Sequence, residues 1–238
     1  MARNRLRPFV ARRALRALGE NPDDTTQAIV AIAAMTGGSN KRLFNRFKRS
    51  EKGRKILRDG SDLYDILSDS DRMLAMAPGS LGRTIGEWFE RENISAQGLA
   101  QASAAASKEF GTAPAPDHDQ QVFGGRVRNL HDVFHVVTGY DRDMRGEIAV
   151  LAFTFAQTGN TGIAYLVWRS LWRNGFRSET GRLIRQAYMR GRRAEWMLDA
   201  DWETLLEQPI DEVRAQLGVG EPPVYEQMRS PAAPALSA

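Results

Sequence analysis

Residues 126–139 read RVRNLHDVFHVVTG, and we predict an α-helix over all of them except the final glycine. An α-helix turns by about 100° per residue, so His131, Asp132 and His135 share one face. After a short turn of the chain, Glu147 begins the next helix. The sequence therefore predicts two imidazoles and two carboxylates at the junction of two consecutive helices.

These side chains form a typical set of metal ligands. Neutral imidazole nitrogens bind zinc, iron(II) and other borderline cations, and carboxylates also suit magnesium. His131 and His135 lie one turn apart and can reach the same ion. Asp132 can act as a third ligand or orient a histidine, and Glu147 can reach the ion from the next helix. The chain has no cysteine, so a bound divalent metal must be held by His, Asp or Glu.

Two hydrolytic metal sites share part of this pattern. Zinc proteases carry His-Glu-x-x-His with the glutamate as general base, whereas Asp132 is one methylene shorter and disfavours that role. Metal phosphohydrolases with a His-Asp doublet take a further histidine from upstream. The third histidine, His118, lies thirteen residues before His131 in a proline-rich loop, where we expect it to be exposed. A His-Asp metal phosphohydrolase is therefore the weaker alternative.

Helical patterns cover most of the remaining chain, and strand patterns are scarce. We therefore predict an all-α, single-domain multi-helix bundle with an apolar cavity between its helices. The bundle comprises residues 20–220, preceded by a basic segment or helix at 1–19 and followed by a disordered Pro/Ala-rich tail at 221–238. Within the bundle, we predict one helix over 62–76 and another over 182–200.

The most apolar segment, residues 148–172, is broken by a polar run at 157–162. Neither half reaches the ~20 residues of a membrane-spanning helix, and we see no secretory leader. We therefore expect a soluble or peripheral protein. The larger apolar side chains of this segment are Ile148, Leu151, Phe153, Phe155, Ile163, Tyr165, Leu166 and Trp168. Such a surface can line a tunnel for a prenyl chain, or it can simply pack in the core.

The chain is mildly basic, with 33 Lys and Arg against 29 Asp and Glu, and its arginines are concentrated near both ends. One group occupies positions 3, 5, 7, 12, 13 and 16, and a second occupies positions 177, 182, 185, 190, 192 and 193. Such clusters bind anionic lipid headgroups or nucleic acid, or they simply face water. The first group, interleaved with Phe9, Leu15 and Leu18, predicts contact with an anionic membrane surface. The net charge of +4 is small, and we expect no nucleic-acid partner.

His-Asp-x-x-His at 131–135, followed by Glu147 after eleven residues, resembles the signature of the Coq-four family of coenzyme Q biosynthesis proteins. Shorter segments also resemble that family. They are GRKIL at 53–57, PGSLG at 78–82, GEIA at 146–149 and QTG at 157–159. The resemblance extends over roughly residues 10–215, so it covers the domain rather than a single motif.

The resemblance implies an all-α fold and peripheral association with the inner membrane on its cytoplasmic side. It also implies a role in ubiquinone biosynthesis, through oxidative decarboxylation and hydroxylation at carbon one of a polyprenyl-hydroxybenzoate, through organisation of the biosynthetic complex, or both. By the same resemblance, His131, Asp132, His135 and Glu147 become the metal ligands and catalytic residues. The expected partners are the polyprenylated quinone precursor, a lipid, and other quinone-biosynthesis proteins.

Two functions of different class therefore stay open. The first is a metal-dependent decarboxylase and hydroxylase, and the second is a non-catalytic, lipid-binding scaffold with a structural metal. Zinc does not change its oxidation state, whereas iron(II) held by two histidines and a carboxylate suits oxygen-dependent chemistry. The sequence does not choose between these ions, nor between a monomer and a homodimer.

Overall fold

The computed structural model describes residues 6–110 and 116–229. These residues form fourteen α-helices and one 3₁₀ helix, and they contain no β-strand. The all-α prediction is therefore confirmed. In chain order the helices are α1 (Pro8–Glu20), α2 (Thr25–Thr36), α3 (Ser39–Arg49), α4 (Glu51–Asp59), α5 (Leu63–Leu67), α6 (Ser70–Ala75), α7 (Leu81–Glu92), α8 (Ala96–Phe110), α9 (His118–Thr138), α10 (Met144–Thr158), α11 (Thr161–Asn174), α12 (Glu179–Arg193), the 3₁₀ helix η1 (Met197–Asp199), α13 (Trp202–Leu205) and α14 (Ile210–Gln216).

Helix α9 runs through the centre of the molecule and contacts α4, α5, α7, α8, α10, α14 and η1. Its apolar residues Val133 and Val137 are completely buried. Phe134 packs edge-on against Phe153 of α10, with 5.5 Å between the ring centroids. Because these side chains recur at helical spacing, core packing fixes the rotation of α9 about its axis. The orientation of the histidines on the same helix is fixed with it.

The start of α9 differs from the prediction. The helix begins at His118, eight residues before the predicted start, and Asp117 caps it by accepting a hydrogen bond from the Gln120 amide at 2.8 Å. Phe123 packs against the rings of Phe44 and Phe47, at 5.2 and 5.1 Å. This packing offsets the low helix propensity of the glycine pair that follows it. His118 is therefore the first residue of a helix and not part of a loop, although it is exposed as expected.

Two other predicted helices are shorter in the structure. The helix predicted over 62–76 is split into α5 and α6, because Asp69 caps α6 by accepting from the Arg72 amide at 3.0 Å. The helix predicted over 182–200 starts three residues earlier and ends at Arg193. The chain beyond it bends to present backbone carbonyl groups to a buried arginine of α9.

That arginine, Arg126, joins α9 to the segment after α12. It is 1% exposed, and its guanidinium donates to the carbonyl oxygens of Leu198, at 2.9 Å, and Ala200. It also pairs with Glu203 at 3.3 Å. A buried guanidinium is tolerated only when its donors are satisfied, so these partners explain why the chain leaves the helical path here.

The outer helices α1, α2, α8 and α11 share a second, smaller apolar cluster. Its buried members are Ala14, Val30, Ala31, Ala106 and Leu166. Helices α10 and α11 are separate, as the polar run at 157–162 predicted. Among the described residues, no helix combines the length and apolar character needed to cross a membrane.

Residues 221–229, called the C-terminal strap below, lie extended across the α9–α10 turn. The Tyr225 hydroxyl donates to Asp143 Oδ2 at 2.7 Å and accepts from the Asp141 amide at 2.9 Å. The Met228 amide donates to Asp143 Oδ1 at 2.9 Å. The prediction of a disordered tail is therefore wrong for this segment, because Glu221 and residues 225–229 have hydrogen-bond partners in the rest of the molecule. Residues 230–238 lie outside the described part of the chain.

Candidate metal centre

The turn between α9 and α10 brings the two helices to a common site. Gly139 adopts a left-handed conformation (φ 73°) and donates from its amide to the His135 carbonyl at 2.9 Å, which ends α9. Asp143 begins α10 by accepting hydrogen bonds from the amides of Arg145 and Gly146, at 3.0 and 3.3 Å. Glu147 consequently lies in the first turn of α10, where the helix dipole favours a carboxylate.

Three side chains from these helices converge on one point. The Nε2 atoms of His131 and His135 are 3.3 Å apart. Glu147 Oε2 lies 3.7 Å from the first and 3.5 Å from the second. These are the ligand atoms of the one group of three or more metal-ligating side chains within residues 6–110 and 116–229. The name "His–His–Glu triad" is used for them below.

The spacing of the triad fits a cation at its centre. Both carboxylate–imidazole separations exceed the roughly 2.7–3.2 Å of a direct hydrogen bond. A point equidistant from the three atoms lies about 2.0 Å from each, which is the usual length of a zinc–nitrogen or zinc–carboxylate bond. Two imidazoles and one carboxylate leave further coordination positions free in either tetrahedral or octahedral geometry. The donor set and its size therefore suit a divalent metal with room for an external ligand.

His135 is held more firmly than His131. Its Nδ1 lies 2.7 Å from the Tyr140 carbonyl oxygen, so Nδ1 carries a proton and donates it there. In the neutral ring Nε2 is then unprotonated and faces the triad. Trp88 of α7 stacks on the same ring at 5.3 Å. The His135 side chain is 1% exposed, whereas those of His131 and Glu147 are 27% and 37% exposed, so the triad is accessible from solvent on one side.

The charges within the triad reinforce each other. Burial acts to raise the pKa of Glu147, but the two imidazoles outweigh it and hold that pKa well below its ordinary value. Burial acts to lower the pKa of His135, but Glu147 and the Tyr140 carbonyl outweigh it and raise that pKa. In the absence of a metal, the triad therefore favours a carboxylate next to a protonated imidazole.

Asp132, the fourth predicted ligand, lies outside the triad. It is 7% exposed, and its carboxyl group accepts no hydrogen bond within the described residues. Burial raises its pKa, and the neighbouring His131 and His135 act in the opposite direction. The role of Asp132 as a ligand stays a prediction.

Comparison with known proteins identifies the family of the chain. The family model described as "Coenzyme Q (ubiquinone) biosynthesis protein Coq4" matches residues 9–223, which include the triad and Asp132. The chain belongs to this family.

Two similar relatives of this Coq4 family member are fungal. The ubiquinone biosynthesis protein COQ4, mitochondrial, of Yarrowia lipolytica is 28% identical over 191 residues, which are 79% of this chain and 69% of that protein. The Botryotinia fuckeliana protein of the same name is 30% identical over 183 residues, 76% of this chain and 62% of that protein. This chain thus spans about two thirds of the length of the curated relatives it matches.

A crystal structure of a proposed ubiquinone biosynthesis protein from Nostoc punctiforme shares the fold of this Coq4 family member. The TM-score is 0.61 with 18% sequence identity, and the match covers 90% of this chain and 98% of that one. At this identity the comparison supports the arrangement of helices alone.

Three contributors to the site were missed by the sequence analysis. They are the Trp88 ring, the Tyr140 carbonyl and the Arg142 guanidinium, whose Nε lies 3.8 Å from Glu147 Oε1. The position of Tyr140, directly after the glycine that ends α9, was a usable local signal, because the chain must fold back there. Trp88 had no such signal, since it reaches the site through tertiary packing of α7 on α9.

The predicted apolar cavity of this Coq4 family member stays a prediction. One pocket of about 320 Å³ lies where α3, α10 and the end of α12 meet, and its lining is largely polar. The pocket is lined by Arg46, Ala156, Gln157, Gly191, Arg192, Ala194, Glu195 and Trp196. Of the side chains expected to line a tunnel, Phe153, Ile163 and Leu166 are buried in the core clusters, which is ordinary helix packing.

Proposed function

We propose that this Coq4 family protein is an enzyme that binds a divalent metal and acts on carbon one of a polyprenyl-hydroxybenzoate. The observation that carries the proposal is the His–His–Glu triad, whose three atoms surround a point at metal-bonding distance. The expected reaction consumes dioxygen and two electrons from an external reductant. One oxygen atom becomes the hydroxyl group that replaces the ring carboxyl group, which leaves as carbon dioxide, and the other oxygen atom takes up protons and leaves as water. Bound iron(II) would supply redox chemistry for this reaction, whereas zinc would only polarise the carboxylate.

The protein side chains have separate roles in this proposal. His135 is the fixed ligand, because the Tyr140 carbonyl and the Trp88 ring determine its orientation. His131 and Glu147 are the solvent-facing ligands, next to which an incoming carboxylate can bind. Asp132 adds negative charge beside His135 and so makes that imidazole a stronger donor. Arg142, near Glu147, supplies positive charge that attracts an anionic substrate.

The proposed substrate also suggests a location. A polyprenyl chain partitions into a bilayer, so an enzyme acting on its ring must work at the membrane surface. We therefore place the protein at the inner membrane, on the cytoplasmic side, in contact with other quinone-biosynthesis proteins. The two fungal relatives are named as mitochondrial proteins.

A scaffold with a structural metal is the second candidate. It is favoured by the fact that the triad joins two consecutive helices, since a cation there would fasten α9 to α10. In that case the metal would stabilise the fold and the protein would present precursor lipid to other enzymes.

His131→Ala separates the two candidates. This histidine is partly exposed, so its loss should leave the fold intact, whereas removing buried His135 would open a cavity beside Trp88. We expect metal affinity to fall by about 100-fold or more. Elemental analysis reports the bound metal, and mass spectrometry of a polyprenyl-hydroxybenzoate incubated with the protein, dioxygen and a reductant reports turnover. His118→Ala is the matched control, because it removes an exposed histidine outside the triad.

Each outcome points to one candidate. Loss of metal and turnover with an unchanged circular dichroism spectrum supports the enzyme. Normal turnover without metal contradicts it, and so does a wild-type protein that takes up no stoichiometric metal. If the wild type turns over no substrate and His131→Ala lowers thermal stability or partner assembly, the result supports the scaffold.

A further inference from the structure

The C-terminal half of α11 exposes large aromatic side chains. Trp168 and Trp172 are 58% and 74% exposed and lie one helical turn apart, so they project from the same side. Phe176, in the turn after α11, is 56% exposed. The opposite side of α11 anchors the helix in the two apolar clusters through Ile163 and Leu166. The three exposed rings are therefore not used by the packing of the molecule.

Arginines surround these rings. Arg169 and Arg173 each follow one of the tryptophans, and both are exposed. From α12, Arg185 donates a hydrogen bond to the Phe176 carbonyl, and Arg182 donates to the Arg177 carbonyl at 3.3 Å. The name "α11–α12 face" is used below for the three rings together with these five arginines, at positions 169, 173, 177, 182 and 185.

The positive charge of the α11–α12 face is not compensated by acidic side chains. Between Thr161 and Arg193 the chain has a single acidic residue, Glu179, and that residue pairs with Arg145 at 2.9 Å. None of the five arginines forms an ion pair within the described part of the chain. Their positive charge is therefore available to attract an external anion.

We propose that the α11–α12 face docks on an anionic phospholipid bilayer. Tryptophan and phenylalanine rings prefer the headgroup region of a bilayer. There the apolar ring contacts the ends of the acyl chains while the indole N–H of tryptophan stays hydrated. Arginines around the rings bind lipid phosphates and gain from the negative surface potential. A second copy of the chain fits this face poorly, because a symmetric contact would bring two sets of unpaired arginines together. The inference extends the membrane location proposed above but does not depend on the metal chemistry.

The N-terminal helix, which the sequence predicted to contact a membrane, fits that role less well. Phe9 is exposed, but Leu15 and Leu18 are partly buried and Leu15 packs on the outer apolar cluster. Arg13 of the same helix pairs with Glu109 at 3.0 Å. Helix α1 therefore offers one exposed aromatic ring and a partly neutralised charge, and it provides a matched control surface.

Co-sedimentation with vesicles tests the proposal on the full-length protein. Phosphatidylcholine vesicles with and without phosphatidylglycerol are compared for the wild type, for Trp168→Ala with Trp172→Ala, and for Arg169→Gln with Arg173→Gln. The control is Arg12→Gln with Arg16→Gln, which removes the same charge from exposed positions on α1. We expect each α11–α12 variant to lower partitioning into anionic vesicles about tenfold, and the control to change it less than about twofold. Added salt should weaken wild-type binding.

The possible results are distinct. Equal partitioning of the wild type and both α11–α12 variants overturns the proposal, as does equal binding to neutral and anionic vesicles. If light scattering shows that the wild type is a dimer, that the tryptophan variant is a monomer, and that vesicle binding is unchanged, the face is a contact between copies instead. Metal content measured on the same variants should stay at the wild-type value, so a failure of the metal proposal would be visible separately.

Discussion

The hydrogen bond between His135 Nδ1 and the Tyr140 carbonyl determines which nitrogen of this ring can bind a metal. Once Nδ1 carries its proton, Nε2 alone has a free lone pair in the neutral ring. That atom lies 3.3 Å from its counterpart on His131 and 3.5 Å from Glu147. The Tyr140 carbonyl therefore directs the unprotonated Nε2 of His135 towards the triad already in the metal-free protein.

The same contacts predict how the site responds to pH. The raised pKa of His135 means that a proton competes for Nε2 at a higher pH than it would at a histidine with the ordinary value of 6.5. In the metal-free protein, this histidine stabilises the fold below pH 6.5, and that contribution is lost as pH rises through its raised pKa. Because its pKa is lowered, Glu147 stabilises the fold above its ordinary value of 4.5, and that stabilisation is lost as pH falls through the lowered pKa. The ion pair therefore stabilises the metal-free protein most between these two ordinary values.

We accordingly expect the increase in Tm caused by saturating Zn²⁺ to grow between about pH 6 and pH 8, because the competing proton leaves while the metal-free state loses its ion pair. Thermal unfolding with and without the metal at several pH values measures this. The His118→Ala variant should give the same profile as the wild type. A metal-induced shift that does not change with pH would show that the cation binds elsewhere.

The sequence predicted the convergence of His131, His135 and Glu147 because their positions depend on local geometry. Two residues four apart on a helix meet on one face, and a short turn returns the next helix to the same end. Trp88 was not predictable in this way, because its contact with His135 depends on how α7 packs on α9. The hydrogen-bond state of Asp132 was equally hidden, since burial follows from the whole core.

At the scale of elements, the C-terminal strap holds the turn that positions the triad. The Tyr225 hydroxyl bonds to both Asp143 and the Asp141 amide, and Asp143 is the cap of α10. Proline-rich composition predicted disorder for this segment. A small number of hydrogen bonds to a rigid turn is nevertheless enough to order an extended chain. Composition alone does not report such partners, which is why the prediction failed here.

Tyr225→Phe tests the strap. The variant keeps the ring but removes the hydroxyl, so the Asp141 amide and Asp143 each lose a partner, and we expect a loss of about 1–3 kcal/mol in the free energy of unfolding. We also expect metal affinity to fall up to about tenfold, since the turn that carries the Tyr140 carbonyl becomes less rigid. Urea denaturation and metal titration measure the two effects.

Tyr188→Phe is the matched control for this variant. Tyr188 stacks on Phe155 at 5.6 Å, and its hydroxyl has no hydrogen bond within the described residues. Its replacement should leave both measurements unchanged. Equal effects of the two substitutions would mean that the strap does not support the site.

At the scale of the whole molecule, two apolar clusters meet along the contact of α2 with α11. Ile32 and Leu151 pack against both clusters, so the outer helices and the central core are joined there. Hydrogen bonds strengthen the contact, since the Thr161 hydroxyl donates to the Thr36 carbonyl at 2.8 Å. The sequence predicted helices over most of the chain but not the crossing of these two, because a helical pattern specifies a buried face and not the partner of that face.

Gly162 permits this crossing, because a Cβ atom there would overlap the Ile32 carbonyl oxygen. Gly162→Ala must therefore push α2 away from α11, and we expect it to destabilise the molecule by about 2 kcal/mol or more. Gly124→Ala in α9 is the matched control. A Cβ atom at Gly124 meets nothing within 4 Å, so this substitution should be neutral or stabilising by up to about 1 kcal/mol. Equilibrium unfolding in urea compares the two.

The same pair of variants tests whether the outer helices and the metal centre are structurally independent. The triad lies on α9 and α10, whereas the strain introduced at Gly162 is relieved between α2 and α11. We therefore expect folded Gly162→Ala protein to bind as much metal as the wild type despite its lower stability. Reduced metal binding in the folded variant would show that the packing of the outer helices reaches the triad through α10, which contacts α11 directly.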